Sequence, residues 1–121
     1  MTALLVALGG GLGAVVRFVV DGAVQRRNRL SFPLGTLLIN VSGSLLLGVL
    51  TGLVLFHGSP TELQAVVGTG FCGGYTTFST ASVEAGRLLL TERRWAAVAH
   101  AAGMLVASLA AAAVGLWLAS V

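Results

Sequence analysis

The sequence predicts an all-α membrane protein with four transmembrane helices, and three observations lead to this fold class. Hydrophobic residues make up 56% of the 121 residues and charged residues only 9%, whereas soluble domains carry roughly 25% charged residues. The apolar residues form four long runs, each near the roughly 20 residues that a helix needs to cross a bilayer. None of the runs shows the alternation of a transmembrane β-strand. We therefore expect one small four-helix domain, residues 1–121, with the lipid bilayer as its solvent.

The four predicted spans cover residues 2–24, 32–56, 63–90 and 95–121. The connections are short: residues 25–31 are rich in Arg, residues 57–60 form a tight turn, and residues 91–94 are polar. Residues 2–16 carry no charge. A secretory signal would begin with a basic stretch, so we interpret the first run as a retained span.

The distribution of arginine predicts one orientation in the membrane. Lys is absent, and five of the seven basic residues lie in the first and third loops, at positions Arg26, Arg27, Arg29, Arg93 and Arg94. These two loops share one membrane face, so the positive-inside rule puts them in the cytoplasm and both termini outside it. The basic residues form no face with interleaved aromatic side chains, which excludes nucleic acid as a partner.

Small and polar residues recur every four positions in the second span, at Thr36, Asn40, Ser44, Gly48 and Gly52. This spacing puts them on one helix face. The Gly-x-x-x-Gly pair is typical of a packing seam. An amide in hydrocarbon is costly unless it is hydrogen-bonded or hydrated, so Asn40 either joins two helices or lines a pore.

The middle of the third span is unusually polar. Residues 68–80 contain four Gly and five Ser or Thr, which are poor helix formers. We therefore predict a third helix that is broken in mid-membrane. A freed backbone is tolerated only inside protein or beside a watery cavity, where its carbonyls can hold a cation. The alternative is a merely flexible interface helix.

Three charged or polar features complete the set of candidate residues. Glu84 is followed after three residues by Arg87, so it either neutralises that Arg or lies at a pore mouth. Arg17 and Asp21 have the spacing of a structural pair. Ser108 is a lone polar residue in the fourth span, and such residues usually bond to the backbone. The sequence contains no catalytic triad pattern, phosphate-binding loop or acid–base carboxylate pair, so we do not expect an enzyme.

Three sequence blocks resemble the small bacterial fluoride-specific ion channel family, which is also named for camphor resistance. They are residues 9–17 (GGGLGAVVR), 35–40 (GTLLIN) and 70–80 (GFCGGYTTFST), and the third is the most specific. The resemblance implies an antiparallel dimer with dual topology, two narrow fluoride pores, and a structural sodium ion (Na+) at the interface that is not transported. It also implies a multi-pass channel in the bacterial plasma membrane that exports cytoplasmic fluoride and reduces its toxicity.

The resemblance assigns the sodium and the ends of the pore by position. In the family, backbone carbonyls of the broken helix hold the sodium, and the matching residues are Gly73 and Thr76. The acidic residue at the pore mouth matches Glu84.

The pore lining implied by the resemblance includes Asn40 and Phe78, with Ser108 at the start of a polar track. A dry pore must replace the water around fluoride with donors, so the hydroxyls of Thr77 and Ser79 are further candidates. The positive edge of the Phe78 ring can face an anion without presenting a fixed charge.

Two departures from the family pattern predict a particular partner. Ala81 stands where the family usually has a second Phe, and Ala112 follows Ser108 where the polar track usually continues. The unequal distribution of Arg also opposes insertion in both orientations. The chain is therefore expected to pair with a paralogous subunit of opposite orientation in preference to itself.

Two other functions remain open at this point. A small proton-coupled multidrug exporter needs a deep carboxylate, and the candidates are Asp21, near the end of its span, and Glu84, beside Arg87. A non-transporting membrane scaffold would use the Gly and Ser seams for packing alone.

Overall fold

The computed structural model describes residues 1–29 and 33–121, and every regular element in these residues is helical. Three long helices are apolar enough to cross a membrane: α1 (Thr2–Arg27), α2 (Leu34–His57) and α6 (Arg94–Ser120). Four shorter elements lie between α2 and α6: α3 (Thr61–Leu63), a π-helix (Gln64–Cys72), α4 (Gly73–Tyr75) and α5 (Ser79–Leu90). We call residues 61–90, which contain these four elements, the third segment.

The predicted spans correspond to these elements, with different ends. Helix α1 continues three residues beyond position 24, so that Arg26 and Arg27 occupy its last turn, where positive charge interacts favourably with the helix dipole. The predicted start of the second span at Phe32, and the part of the first loop at positions 30 and 31, lie outside the described residues. The predicted third span, residues 63–90, corresponds to the third segment, which consists of several helical pieces.

The third segment leaves helical geometry at residues 76–78. The backbone of Thr76 is extended, with φ −78° and ψ 161°, and the helix resumes at Ser79. The interruption lies within residues 68–80, the stretch expected to be unwound. It follows a nine-residue π-helix, a rare conformation that is frequent at functional sites.

The glycines before this interruption are helical, and two of them, Gly70 and Gly74, serve close packing. A Cβ added to Gly74 would lie 2.0 Å from the Gly10 carbonyl oxygen, and one added to Gly70 would lie 2.7 Å from that of Val6. The backbones of α1 and the third segment therefore touch directly. The sequence suggested that the glycines would help to unwind the helix, but they remain helical. The unwinding falls on the threonines that follow.

The small residues of α2 form the predicted packing seam. A Cβ on Gly48 would lie 2.1 Å from the Ala112 carbonyl oxygen, and one on Gly115 would lie 2.3 Å from that of Leu45. Helix α2 packs mainly along α6, and α1 packs mainly along the π-helix and α4. Many large apolar side chains face outward, including Leu8, Phe18, Leu105 and Trp117. Such a surface requires lipid or another subunit.

Candidate functional site

A groove of about 810 Å³ runs between α2, the third segment and α6. Its lining includes most of the residues singled out from the sequence: Asn40, Gly73, Thr76, Thr77, Phe78 and Ser108. Ala81, where the resemblance implies a second Phe, also lines it. Ser79 and Glu84 do not line the groove. The fold thus gathers three separate parts of the chain along one surface.

Asn40 holds the interrupted helix in place. Its Nδ2 donates to the Thr77 carbonyl oxygen at 2.9 Å, and its Oδ1 accepts from the Thr77 amide at 2.8 Å. The side-chain amide thereby supplies both backbone partners that Thr77 lacks outside a helix. Nδ2 also lies 3.2 Å from Met104 Sδ, a weak acceptor. Asn40 therefore joins α2 to the third segment and lines the groove as well.

Several carbonyls lose their helical donors at the interruption, and two of them, those of Gly73 and Thr76, belong to residues that line the groove. In a continuous α-helix the Thr77 amide would donate to the Gly73 carbonyl and the Thr80 amide to the Thr76 carbonyl. Instead, the Thr77 amide donates to Asn40 Oδ1, and the Thr80 amide donates to Thr77 Oγ1 at 3.2 Å. The carbonyls of Gly73 and Thr76 are thus released, and both residues line the groove. Carbonyls freed in this way suit Na+.

Among the described residues, no group of three or more His, Cys, Asp or Glu side chains could hold a metal ion. The carbonyls of Gly73 and Thr76 are among those that the interrupted helix no longer uses, and both residues line the groove.

The hydroxyls of Thr77 and Ser79 are engaged at the start of α5. Thr77 Oγ1 accepts from the Thr80 amide, as an N-cap residue does. It donates to Thr80 Oγ1 at 3.2 Å and lies 3.4 Å from Ser79 Oγ. These hydroxyls stabilise the helix end, so they are less free to coordinate an anion than the sequence alone suggests.

Ser108 and Phe78 are the groups most available to a ligand. Ser108 Oγ is buried and has no hydrogen-bond partner in the described part of the chain, which corrects the expectation that it bonds to the backbone. The residues one turn before and after it, Met104 and Ala112, are apolar. The Phe78 side chain is 86% exposed. A hydroxyl without a hydrogen-bond partner and an exposed aromatic ring thus lie on the same groove.

Glu84 has partners that its sequence neighbours do not indicate. Its Oε1 accepts a hydrogen bond from Thr36 Oγ1 at 2.7 Å, and its Oε2 lies 3.5 Å from His100 Nε2. Within the described residues it forms no ion pair with Arg87. Thr36 and His100 lie on α2 and α6, so this cluster exists only in the folded chain. Sequence reasoning missed His100 because a lone His in an apolar span has no spacing signal.

Arg17 and Asp21 do not form the predicted pair in residues 1–29. Asp21 Oδ2 instead accepts a hydrogen bond from Gln25 Nε2 at 3.1 Å. Gln25 lies one turn beyond Asp21 on the same helix, where its amide reaches the carboxylate with the same i, i+4 spacing.

Comparisons with known proteins match nearly the whole chain. The family model described as "CrcB-like protein, Camphor Resistance (CrcB)" matches residues 4–116. A protein of Leifsonia xyli subsp. xyli named "Fluoride-specific ion channel FluC 1" is 54% identical over 118 residues, which cover 98% of this chain and 86% of that protein. "Fluoride-specific ion channel FluC 2" of Cutibacterium acnes is 51% identical over 121 residues, which cover 99% of this chain and 98% of that protein.

A third relative, "Fluoride-specific ion channel FluC 2" of Mycobacterium bovis, is 45% identical over 116 residues. The match covers 96% of this chain and 89% of that protein. All three names describe channels, which agrees with the expectation that the chain is not an enzyme.

Proposed function

The chain belongs to the family of CrcB-like proteins, as its three sequence blocks predicted, and on this premise we propose that it is a subunit of a fluoride-specific ion channel. The channel lies in the bacterial plasma membrane, lets cytoplasmic fluoride leave the cell and so reduces its toxicity. The names of the relatives support fluoride as the ion, and the long apolar helices support a location in the membrane.

The observation that carries this proposal is the unpartnered Ser108 hydroxyl on the same groove as the Phe78 ring. Fluoride is small and strongly hydrated, so a dry passage must offer donors in place of water. A buried hydroxyl without a protein partner costs about 1–3 kcal/mol, and an anion that accepts its proton removes that cost. The ring edge of Phe78 adds a weak positive potential that does not trap the ion.

The test is fluoride efflux from liposomes that contain the reconstituted protein. Phe78→Ile is expected to abolish efflux and to leave assembly intact, because isoleucine fills space but has no quadrupole. Phe18→Ile is the matched control, since Phe18 is 81% exposed on α1 and lies away from the groove. Unchanged efflux in Phe78→Ile would remove Phe78 from the pore.

The channel is further proposed to hold one structural Na+ at a dimer interface through the carbonyls of Gly73 and Thr76. Their release from helical bonding supports this assignment. A Cβ on Gly73 would meet no heavy atom within 4 Å, which leaves room for a second subunit. Replacing Na+ by N-methylglucamine is expected to dissociate the dimer in detergent while the helical circular dichroism persists. A dimer that is equally stable without Na+ would contradict the assignment.

The proposed dimer is antiparallel, and its preferred partner is a paralogous subunit and not a second copy. The exposed Phe78 ring and the open groove leave an incomplete passage, while Ala81 lacks a ring. The Arg bias favours one orientation for this chain, so a partner with the opposite bias would complete the pair. Coexpression and pull-down with such a relative tests the pairing. Full activity of this chain alone would refute an obligate heteromer.

A proton-coupled exporter is the alternative with a specific residue to examine. Its carboxylate must be able to exchange a proton for a substrate cation, whereas Glu84 accepts from Thr36 and lies against His100. Fluoride efflux that needs no proton gradient would exclude the exporter. A scaffold that only packs helices would show no efflux at all.

A further inference from the structure

The buried His100 and the partly exposed Glu84 form a pair beside the groove. The His100 side chain is 1% exposed and Thr36 is 2% exposed, so the cluster is closed on the sides of α2 and α6. His100 also lines the groove, whereas Glu84 does not. The other charged groups in electrostatic contact with Glu84 are Asp21 of α1 and Arg87 of α5 itself.

A carboxylate in this position opposes the passage of an anion. A negative charge that is poorly screened by water raises the energy of fluoride in the neighbouring groove. The Thr36 hydroxyl satisfies one carboxylate oxygen but carries no charge. His100 faces the other oxygen and is the group of the pair that can hold a compensating proton.

We infer, on the premise of the proposed function, that His100 is a positioning residue for conduction that neutralises Glu84, so that fluoride flux depends on the protonation of this pair. With one proton shared between them, the pair has no net charge. Without that proton it has a charge of minus one. Flux therefore falls as the pH rises through the titration of the pair.

The test compares pH profiles of fluoride efflux for the wild-type protein, His100→Gln, and the double variant His100→Gln/Glu84→Gln. The assays stay well above the acidity at which HF forms and crosses lipid. We expect wild-type flux to fall with rising pH. His100→Gln should reduce flux about tenfold at neutral pH, which corresponds to about 1.4 kcal/mol in the barrier. The fluoride flux of the double variant should be several-fold higher than that of His100→Gln, because the double variant also lacks the carboxylate charge.

His57→Gln is the matched control, since His57 binds the Ala119 carbonyl at a helix end and lies away from the groove. Dimer assembly is measured for each variant, which separates charge from folding. A flat wild-type pH profile, or a double variant no better than His100→Gln, would overturn this inference alone. Absence of fluoride flux from the wild-type protein, with or without its partner, would overturn the proposed function and this inference together.

Discussion

The side chain of Asn40 bonds to both the amide and the carbonyl of Thr77, at 2.8 and 2.9 Å, across 37 residues of sequence. One buried amide thus replaces the hydrogen bonds that the third segment loses where its helix stops. The same contact diverts the Thr77 amide from the Gly73 carbonyl. The interruption, the freed carbonyl and the groove are therefore linked through a single side chain.

Asn40→Ala is expected to destabilise the protein and abolish fluoride efflux. Each backbone group left buried without a partner costs about 1–3 kcal/mol, so two such groups lower the free energy of unfolding by about 2–6 kcal/mol. Thermal unfolding in detergent and liposome efflux measure the two effects. Ser44→Ala is the control, since Ser44 lies one turn along α2 in the same groove and makes no hydrogen bond among the described residues. Equal melting temperatures for the two variants would contradict the role of Asn40.

Gly74→Ala is expected to separate α1 from the third segment. The new Cβ would lie 2.0 Å from the Gly10 carbonyl oxygen, and a backbone atom cannot move aside as a flexible side chain can. Overpacking of this kind costs about 1–3 kcal/mol or more. The yield of monodisperse protein and its melting temperature measure the change. Gly11→Ala provides the comparison, because nothing lies within 4 Å of its added Cβ. Similar losses of yield and melting temperature in both variants would show that the effect does not come from the contact with Gly10.

Ser108→Ala is expected to lower efflux without lowering stability. The Ser108 hydroxyl has no partner in the described structure, so its removal breaks no bond in the protein. A hydrogen bond to a charged group contributes about 1.5–3 kcal/mol, so flux falls by about tenfold or more.

Ser42→Ala should show the opposite behaviour to Ser108→Ala. Ser42 Oγ lies 2.9 Å from the Tyr75 hydroxyl, outside the groove lining, and this variant should lose stability but keep its flux. Efflux and melting temperature are measured for both proteins. A Ser108→Ala protein that melts lower and conducts normally would assign Ser108 to packing.

Ala81→Phe is expected to raise the efflux of this chain when it is expressed alone. Ala81 lies three residues after Phe78 on the groove, so the new ring would supply the second aromatic edge that the family pattern contains. Ala85→Phe is the control, because Ala85 also lines the groove one turn further along α5. Equal flux in Ala81→Phe and the unmodified chain, with both proteins assembled, would show that the missing ring does not limit conduction.

Several features were predictable because they depend on residues close together in the sequence. Long apolar runs indicated the membrane and approximate spans, and the threonine- and glycine-rich stretch predicted where the third segment would be irregular. Three short sequence blocks also identified the family to which the chain belongs. Composition and local pattern are sufficient for these inferences, since a helix needs only its own backbone to satisfy its hydrogen bonds in lipid.

The tertiary structure decided which side chains meet. Asn40 joins α2 to the third segment through Thr77, and Glu84 contacts Thr36 and His100 on other helices instead of Arg87 on its own. Gly70 and Gly74 of the third segment proved to be contact points with α1, a role that depends on a neighbouring backbone. Such contacts join residues tens of positions apart, and their distances follow from how the helices pack, which no local pattern encodes.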